Sequence, residues 1–349
     1  MEILELAWIF EWLNENLLVP IVGDGEFGIL VRNLILACSV FGLLSLIALC
    51  LVWWERKVSA HIQQRFGPMM TGWHGILQTV ADAVKLIQKE DIVPALADRK
   101  VFFWAPVICF VCAFAAYIVI PFGDGLIVSD LNVGILYIIA ITTFTIISLM
   151  MAGWGSNNKY ALLGGMRSAA QAVSYEVPMA LSILGVVMVT GSMSMQEIVK
   201  AQSAWYGFHW NIFFQPLGFV IYVIAATAEA NRTPFDLPEA EQELVAGFNI
   251  EYSGMKFAMF FLAEFVNMFT VSAIATTVFL GGWNGPWLPS WFWFLIKTLG
   301  MVFLFMVFRW TYPRLRVDQL MEFAWKVLLP LAFLNILWVG LYEEVFSKW

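Results

Sequence analysis

The sequence predicts an all-α, polytopic membrane protein with eight transmembrane helices. Three observations carry this: 61% of its 349 residues are hydrophobic, only 13% are charged, and the mean hydropathy is +0.78. Such a chain is too apolar for an ordinary soluble domain, so the bilayer has to be its solvent. Its charges leave uncharged windows at Asn33–Trp54, Val101–Gly123, Leu131–Asn158, Val177–Gln196, Ala201–Ala228 and Phe265–Ile296. Each window can hold the ~20 apolar residues that span a hydrocarbon core.

Trimming at turn chemistry (Gly123-Asp124-Gly125, and Gly281 to Pro286) and adding two late apolar runs predicts helices at about 33–54, 101–120, 134–153, 172–190, 213–231, 256–280, 291–310 and 324–342. An even number of spans puts both termini on one side. The opening MEILELAWIFEWLNEN carries four acids and no basic n-region, so it reads as an interfacial amphipathic segment within residues 1–30 rather than a secretory signal. Residues 31–345 then form a single eight-helix domain. All four cysteines, Cys38, Cys50, Cys109 and Cys112, fall inside predicted spans, where a disulfide framework has no place. Cys109 and Cys112 form a CxxC, but within VICFVCAF it reads as helix packing rather than a redox or metal pair.

The basic residues orient the chain. Fifteen of the nineteen fall on one side of the eight-span arrangement, leaving Arg32, Lys200, Lys297 and Lys348 on the other. Basic residues near span ends mark the cytoplasmic side. Both termini are therefore expected to be periplasmic, with loops 55–100, 154–171, 232–255 and 311–323 cytoplasmic. Tryptophans near the boundaries, such as Trp53, Trp54, Trp154 and Trp310, suit interface anchors. No basic groove suggests nucleic acid.

Ionisable groups in or beside spans are the informative ones, because a charge at the bilayer centre costs about 2.5–3.5 kcal/mol on insertion scales. They are Glu176, Glu229, Glu264 and Lys297. Glu264 lies eight residues past Lys256, about 12 Å into its helix, and all three carboxylates belong to the cytoplasmic half. The following loop, EANRTPFDLPEAEQELVAGFNIEYSG, holds Glu229, Asp236, Glu239, Glu241, Glu243 and Glu251 against Arg232 alone. A run of acids is ordinarily a solvated face. Here Pro234 and Pro238 prevent a regular helix, and Phe235, Leu237, Leu244, Val245 and Phe248 imply packing. Crowding and burial favour protonated carboxyls, the chemistry of a proton relay.

The first cytoplasmic loop places Ile76, Val80, Val84 and Ile87 on one stripe of an amphipathic helix lying in the membrane interface. It reads either as a surface anchor with an Asp82–Lys85 pair, or as the rim of a cavity admitting an amphiphile, with Arg65 and Asp82 as polar contacts. Other chemistries are set aside. None of His61, His74 and His209 is inside a span, so paired haem ligands are not expected, nor is an iron–sulfur cluster or another metal site. No glycine-rich nucleotide motif occurs.

Several blocks, in order, resemble a known family: Glu55-Arg56-Lys57 with Gln64-Arg65-x-Gly67-Pro68, LQTVADAVKLIQKE, GGMRSAAQAVSYE, AEANRTPFDLPEAEQELVAGFNIEYSG, FFLAEFVNM and, later, Trp310-Thr311-Tyr312-Pro313-Arg314. They are similar to the subunit 1 membrane protein of respiratory complex I, the proton-pumping NADH:quinone oxidoreductase. The similarity runs from about residue 30 to about 325, and NRTPFDLPEAE is its most specific part.

The resemblance implies the membrane side of a quinone chamber, with quinone as substrate. FMN and iron–sulfur clusters would sit only on partner subunits, leaving no redox centre on this chain. Arg65, Asp82 and Glu55 would line or support the quinone tunnel. Glu239, Glu241 and Glu243, with Asp236 and Arg232, would form the loop beneath the quinone site. Glu176, Glu229 and Glu264 would form the acidic path into the membrane arm. Partners would be the peripheral quinone-site and terminal iron–sulfur subunits, small membrane-arm subunits and membrane lipid, in a bacterial cell inner membrane rather than an organellar one.

Phe66 departs from the family pattern, standing where many members have a basic residue. NNKYALLGG and YSGMKFA also look like the photosynthetic, ferredoxin-driven relatives, whereas Glu264 points to a respiratory type. Alternatives are the membrane subunit of a related energy-converting hydrogenase, a stand-alone proton-coupled transporter, or a passive scaffold.

Overall fold

The computed structural model describes residues 26–204, 209–238 and 241–346. Among them the protein is helical and contains no strand. The expected interfacial segment at 1–30 lies outside them except for its last residues, which already belong to the first helix. Glu239 and the side chain of Glu241 also lie outside the described residues.

The long helices are α1 (Glu26–Ile62), α3 (Arg99–Ala115), α4 (Gly134–Gly155), α5 (Lys159–Thr190), α8 (Gly254–Phe279) and α9 (Ser290–Thr311). Between them lie α2 (Gln78–Gln88), α6 (Met195–Ala201) and α7 (Pro216–Glu229). The last helix starts as α10 (Val317–Phe323) and passes through a π-helical stretch, Ala324–Leu328, into α11 (Leu329–Phe346). Among the described residues, seven helical segments are long and apolar enough to cross a membrane, while Pro216–Glu229 is apolar but shorter.

Several predicted boundaries move by more than a turn, among them the starts of the first helix, at Glu26 rather than 33, and of the last, at Val317 rather than 324. The first helix was expected to stop at Trp54 but runs on to Ile62, so Glu55, Arg56 and Lys57 are helical rather than part of a loop. The fourth was expected from 172 but starts at Lys159, where the Asn158 side chain accepts a hydrogen bond from the Tyr160 backbone N–H at 3.0 Å. Hydropathy ends a span where lipid ends, yet a polar stretch without a breaker continues the helix into the interface.

Helix α8 is the centre of the bundle. It packs on α3, α9 and α1, while α5 packs on α4, α7 and the last helix. Tyr222 and Tyr117 fix this arrangement by donating from their hydroxyls to the carbonyls of Val271 (2.8 Å) and Val266 (3.1 Å) on α8. The loops 63–98, 156–158, 230–253 and 312–316 gather at one end, called here the basic end. There Lys256 pairs with Asp91 at 2.8 Å, and Tyr252 stacks on Phe102 with ring centroids 4.1 Å apart. Burial pushes the Tyr252 phenol above its ordinary value, against a smaller opposing effect of its hydrogen bond with Ser156. It stays a neutral donor to the Phe102 carbonyl at 3.3 Å.

The loop between α7 and α8 is packed, as its apolar residues implied. Phe235, Leu237, Leu244 and Phe248 are buried, but Val245 is 64% exposed and stands at φ 66°, so it takes no part in the packing expected of it. The loop reaches α5 because that helix is bare at Gly164, where a Cβ atom would lie 2.8 Å from the Gly247 Cα. Gly164→Leu is expected to force loop and helix apart, costing about 1–3 kcal/mol and lowering the melting temperature of the detergent-purified protein. Gly300→Ala, whose Cβ would meet nothing within 4 Å, should leave it unchanged.

Candidate functional site

Arg232 is the largest fully buried side chain, 1% exposed. The loop places its guanidinium between two helices. Nη1 donates to both oxygens of Glu55 on α1, at 3.1 and 3.0 Å, and Nη2 lies 3.3 Å from Glu264 Oε1 on α8. The guanidinium also covers the Phe265 ring at 4.6 Å from its centroid. From α9, Arg309 Nη1 reaches Glu55 Oε1 at 2.5 Å. Two cations and two carboxylates from four parts of the chain thus close one network, which is what a low-dielectric interior demands of any charge it holds.

Glu264 opens onto a cavity of about 50 Å³, room for a few water molecules. Its polar lining includes Glu229, Asn231, Asn267, Ser168 and Thr145. Glu229 Oε2 and Ser168 Oγ are buried with no hydrogen-bond partner among the described residues, so both are disposed to bond water there. Glu229 in turn lies beside Glu176 and the Thr142 hydroxyl, and Glu176 accepts a hydrogen bond from Thr143. The order in space is therefore Glu55, Arg232, Glu264, the cavity, Glu229 and Glu176.

Of the remaining residues singled out in the sequence, Asp236 lies close enough to Glu264 to act on it electrostatically, while Arg65, Asp82 and Glu243 lie apart from this chain of groups. Asp82 pairs with Arg56 at 2.6 Å and accepts from Gln78 at 3.2 Å; the expected Asp82–Lys85 pair does not form. Arg65 is exposed and bonds Gln63 at 2.6 Å. A groove of about 680 Å³ runs along α2, but its lining is Leu77, Val80, Ala81, Val84, Lys85 and neighbours, not Arg65 and Asp82. Asp236 pairs with Arg314 at 2.7 Å, and Glu243 with Arg167 at 2.6 Å.

Sequence reasoning missed five contributors. Arg309 counted only as a topological charge. Asn267 follows Glu264 by three residues, a helical spacing that could have revealed it. Thr142 and Thr143 are isolated hydroxyls in an apolar run. Gln171, fully inside α5, donates to the carbonyls of Ala228 (2.7 Å) and Phe235 (2.8 Å) and so holds the loop around Arg232. Cys109 borders the cavity, and all four cysteines are free thiols. Among the described residues, no group of three or more His, Cys, Asp or Glu could hold a metal ion.

The sequence profile of the NADH dehydrogenase family matches residues 35–340. The chain belongs to this family. Within it, the chain is 53% identical over 307 residues to an NADH-quinone oxidoreductase subunit of Dehalococcoides mccartyi (strain CBDB1), covering 88% of this chain and 85% of that protein. It is 48% identical over 344 residues to the corresponding NADH-quinone oxidoreductase subunit of Carboxydothermus hydrogenoformans, covering 97% and 96%. With that of Geobacillus kaustophilus it shares 49% identity over 324 residues, covering 91% and 93%. The resemblance carried by NRTPFDLPEAE and its companion blocks is borne out, and this NADH dehydrogenase family member is a multi-pass membrane protein.

Removing one partner from a buried ionic network costs about 3–5 kcal/mol, so Arg232→Met is expected to destabilise the purified protein on that scale. Adding Glu264→Gln to it should cost less than Glu264→Gln alone, because the two groups share one contact. Strictly additive losses in a denaturation series would contradict the shared guanidinium.

Proposed function

We propose that this chain is the membrane subunit of a complex I-type quinone oxidoreductase, where it forms the membrane side of the quinone chamber and passes the consequence of quinone reduction to an acidic path. The observation that carries the reading is Arg232. It holds Glu55, near the loop end of α1, and at the same time Glu264, whose cavity also contains Glu229. The names of the NADH-quinone oxidoreductase relatives support the same reading.

The chain crosses the membrane eight times in this proposal. Helix α7, only 14 residues long and so about 21 Å, is the shortest span, accepted because most of its surface is covered by α5, α8 and α11. The basic end is cytoplasmic, both termini are periplasmic, and the membrane is a bacterial inner membrane. Helix α2 lies in the interface, with Ile76 just before it and Val80, Val84 and Ile87 along it 44–63% exposed, ready to meet lipid or a quinone tail. Arg65 and Asp82 stand at the mouth of the quinone route, and the loop whose sequence carries Arg232, Asp236, Glu239, Glu241 and Glu243 lies beneath the quinone site.

Reducing a quinone to a quinol takes up two electrons and two protons. The electrons come from iron–sulfur clusters and FMN on partner subunits, not from this chain. Proton uptake near the loop alters the charge balance around Glu55 and Arg232. Because the guanidinium is shared, a change at Glu55 alters how strongly Glu264 is held. Waters in the cavity connect Glu264 to Glu229, and Glu176 leads on toward small membrane-arm subunits. Glu229→Gln and Glu264→Gln are each expected to lower quinone reductase activity and proton pumping together, severalfold or more, in inverted membrane vesicles containing normally assembled complex. Unchanged rates for both variants would leave the chain a passive scaffold.

A further inference from the structure

Helix α9 carries a cation near each end. Arg309, at the basic end, is matched by Glu55. Lys297, twelve residues away and so about 18 Å along the axis, is 8% exposed, and among the described residues it has no carboxylate partner. Its Nζ donates instead to the carbonyls of Gly282 at 3.0 Å and Asn284 at 2.7 Å. Two indole rings flank it, with centroids at 5.0 Å for Trp210 and 5.7 Å for Trp293. The turn that supplies the carbonyls is pinned in place: Asn284 Nδ2 donates to Val199 O at 2.6 Å, and a Cβ on Gly282 would lie 2.6 Å from the Val199 side chain.

A capping role alone does not account for a charge here. The end of α8 is already served by neutral amides, since Gln202 donates to Thr277 O at 3.0 Å and Asn211 to Val278 O at 2.8 Å. An amide would satisfy Gly282 and Asn284 as well, without a buried cation that carbonyls and indole rings stabilise but do not neutralise. The half of α8 between Glu264 and this turn is also less oily than its burial suggests. Thr270, Ser272, Thr276, Thr277 and, across on α9, Thr298 are all buried, and Thr298 donates to Thr276 Oγ1 at 3.3 Å.

We propose that Lys297 is an electrostatic seal. Its fixed positive charge closes the end of the bundle opposite the basic loops against protons held at Glu264 and Glu229, so that they do not leak through this chain past the Thr276–Thr298 contact between α8 and α9. A like charge on the exit raises the barrier for a hydrated proton while leaving the carboxylates themselves untouched. The proposal rests on the reading that these glutamates carry exchangeable protons.

The test is the passive decay of an imposed pH gradient in liposomes containing the whole complex without electron donor, alongside quinone reductase turnover and calcein retention. Lys297→Gln keeps a donor for the two carbonyls and removes the charge; Lys297→Arg keeps the charge. Lys297→Gln is expected to speed the decay roughly tenfold, the effect of one unit charge about 10 Å from the route at an effective dielectric of about 20, with turnover and calcein retention unchanged and Lys297→Arg tight. Adding Thr276→Val and Thr298→Val should restore tightness. Lys297→Met, which removes the charge and keeps the length of the side chain, should leak as well, and it decides the question if Lys297→Gln fails to assemble. An unchanged decay, or a decay accompanied by calcein loss, overturns the seal. Failure of the acidic-path reading shows separately, as Glu264→Gln complexes that still turn over and pump.

Discussion

A guanidinium that no water reaches constrains everything around it. Arg232 cannot be neutralised by losing its proton, so an apolar bundle holding it has to bring acids to it. Glu55 arrives from one helix and Glu264 from another, and each of those helices is fixed in rotation by that need. Arg309 follows, because two acids around one cation leave a surplus negative charge. The loop is held by the same logic: Gln171 grips the turn around Arg232 from both sides through the carbonyls of Ala228 and Phe235, and Gly164 gives the backbone room to approach. Rotating any one of these elements would strand a charge.

Beyond the network the polarity changes character. Between Glu264 and Glu229 lie amides, hydroxyls and a small cavity rather than cations. A carboxyl facing such a space can hold or release a proton at modest cost, because waters reorient while an arginine does not. One part of the site is therefore electrostatically fixed and the adjoining part adjustable.

Much of this was legible in the sequence. The long apolar windows specify the helices, since length in lipid leaves little choice, and the carboxylates inside them announce themselves because charge there is costly. What could not be read were partnerships between distant segments. Asp82 and Lys85 were adjacent on a helix, yet Arg56 on another helix takes Asp82, since contact across the fold outcompetes a weak local pair. The extra turns of α1 and α5 escaped because hydropathy is silent about polar helix outside lipid. Val245 shows the reverse error: an apolar letter in a packed loop, turned outward by a left-handed backbone.

The overrun of α1 has a mechanical consequence. At 37 residues it is about 55 Å long, well beyond the ~30 Å hydrocarbon core, and from Leu43 to Ile62 no glycine or proline interrupts it. Arg56, clamped to Asp82 of α2, and Glu55, clamped to Arg232, are neighbours on that unbroken rod. A tilt or roll of α2 has no joint in which to dissipate before it reaches Glu55. The rod works as a stiff lever whose short arm is clamped to α2 and whose fulcrum is the buried guanidinium.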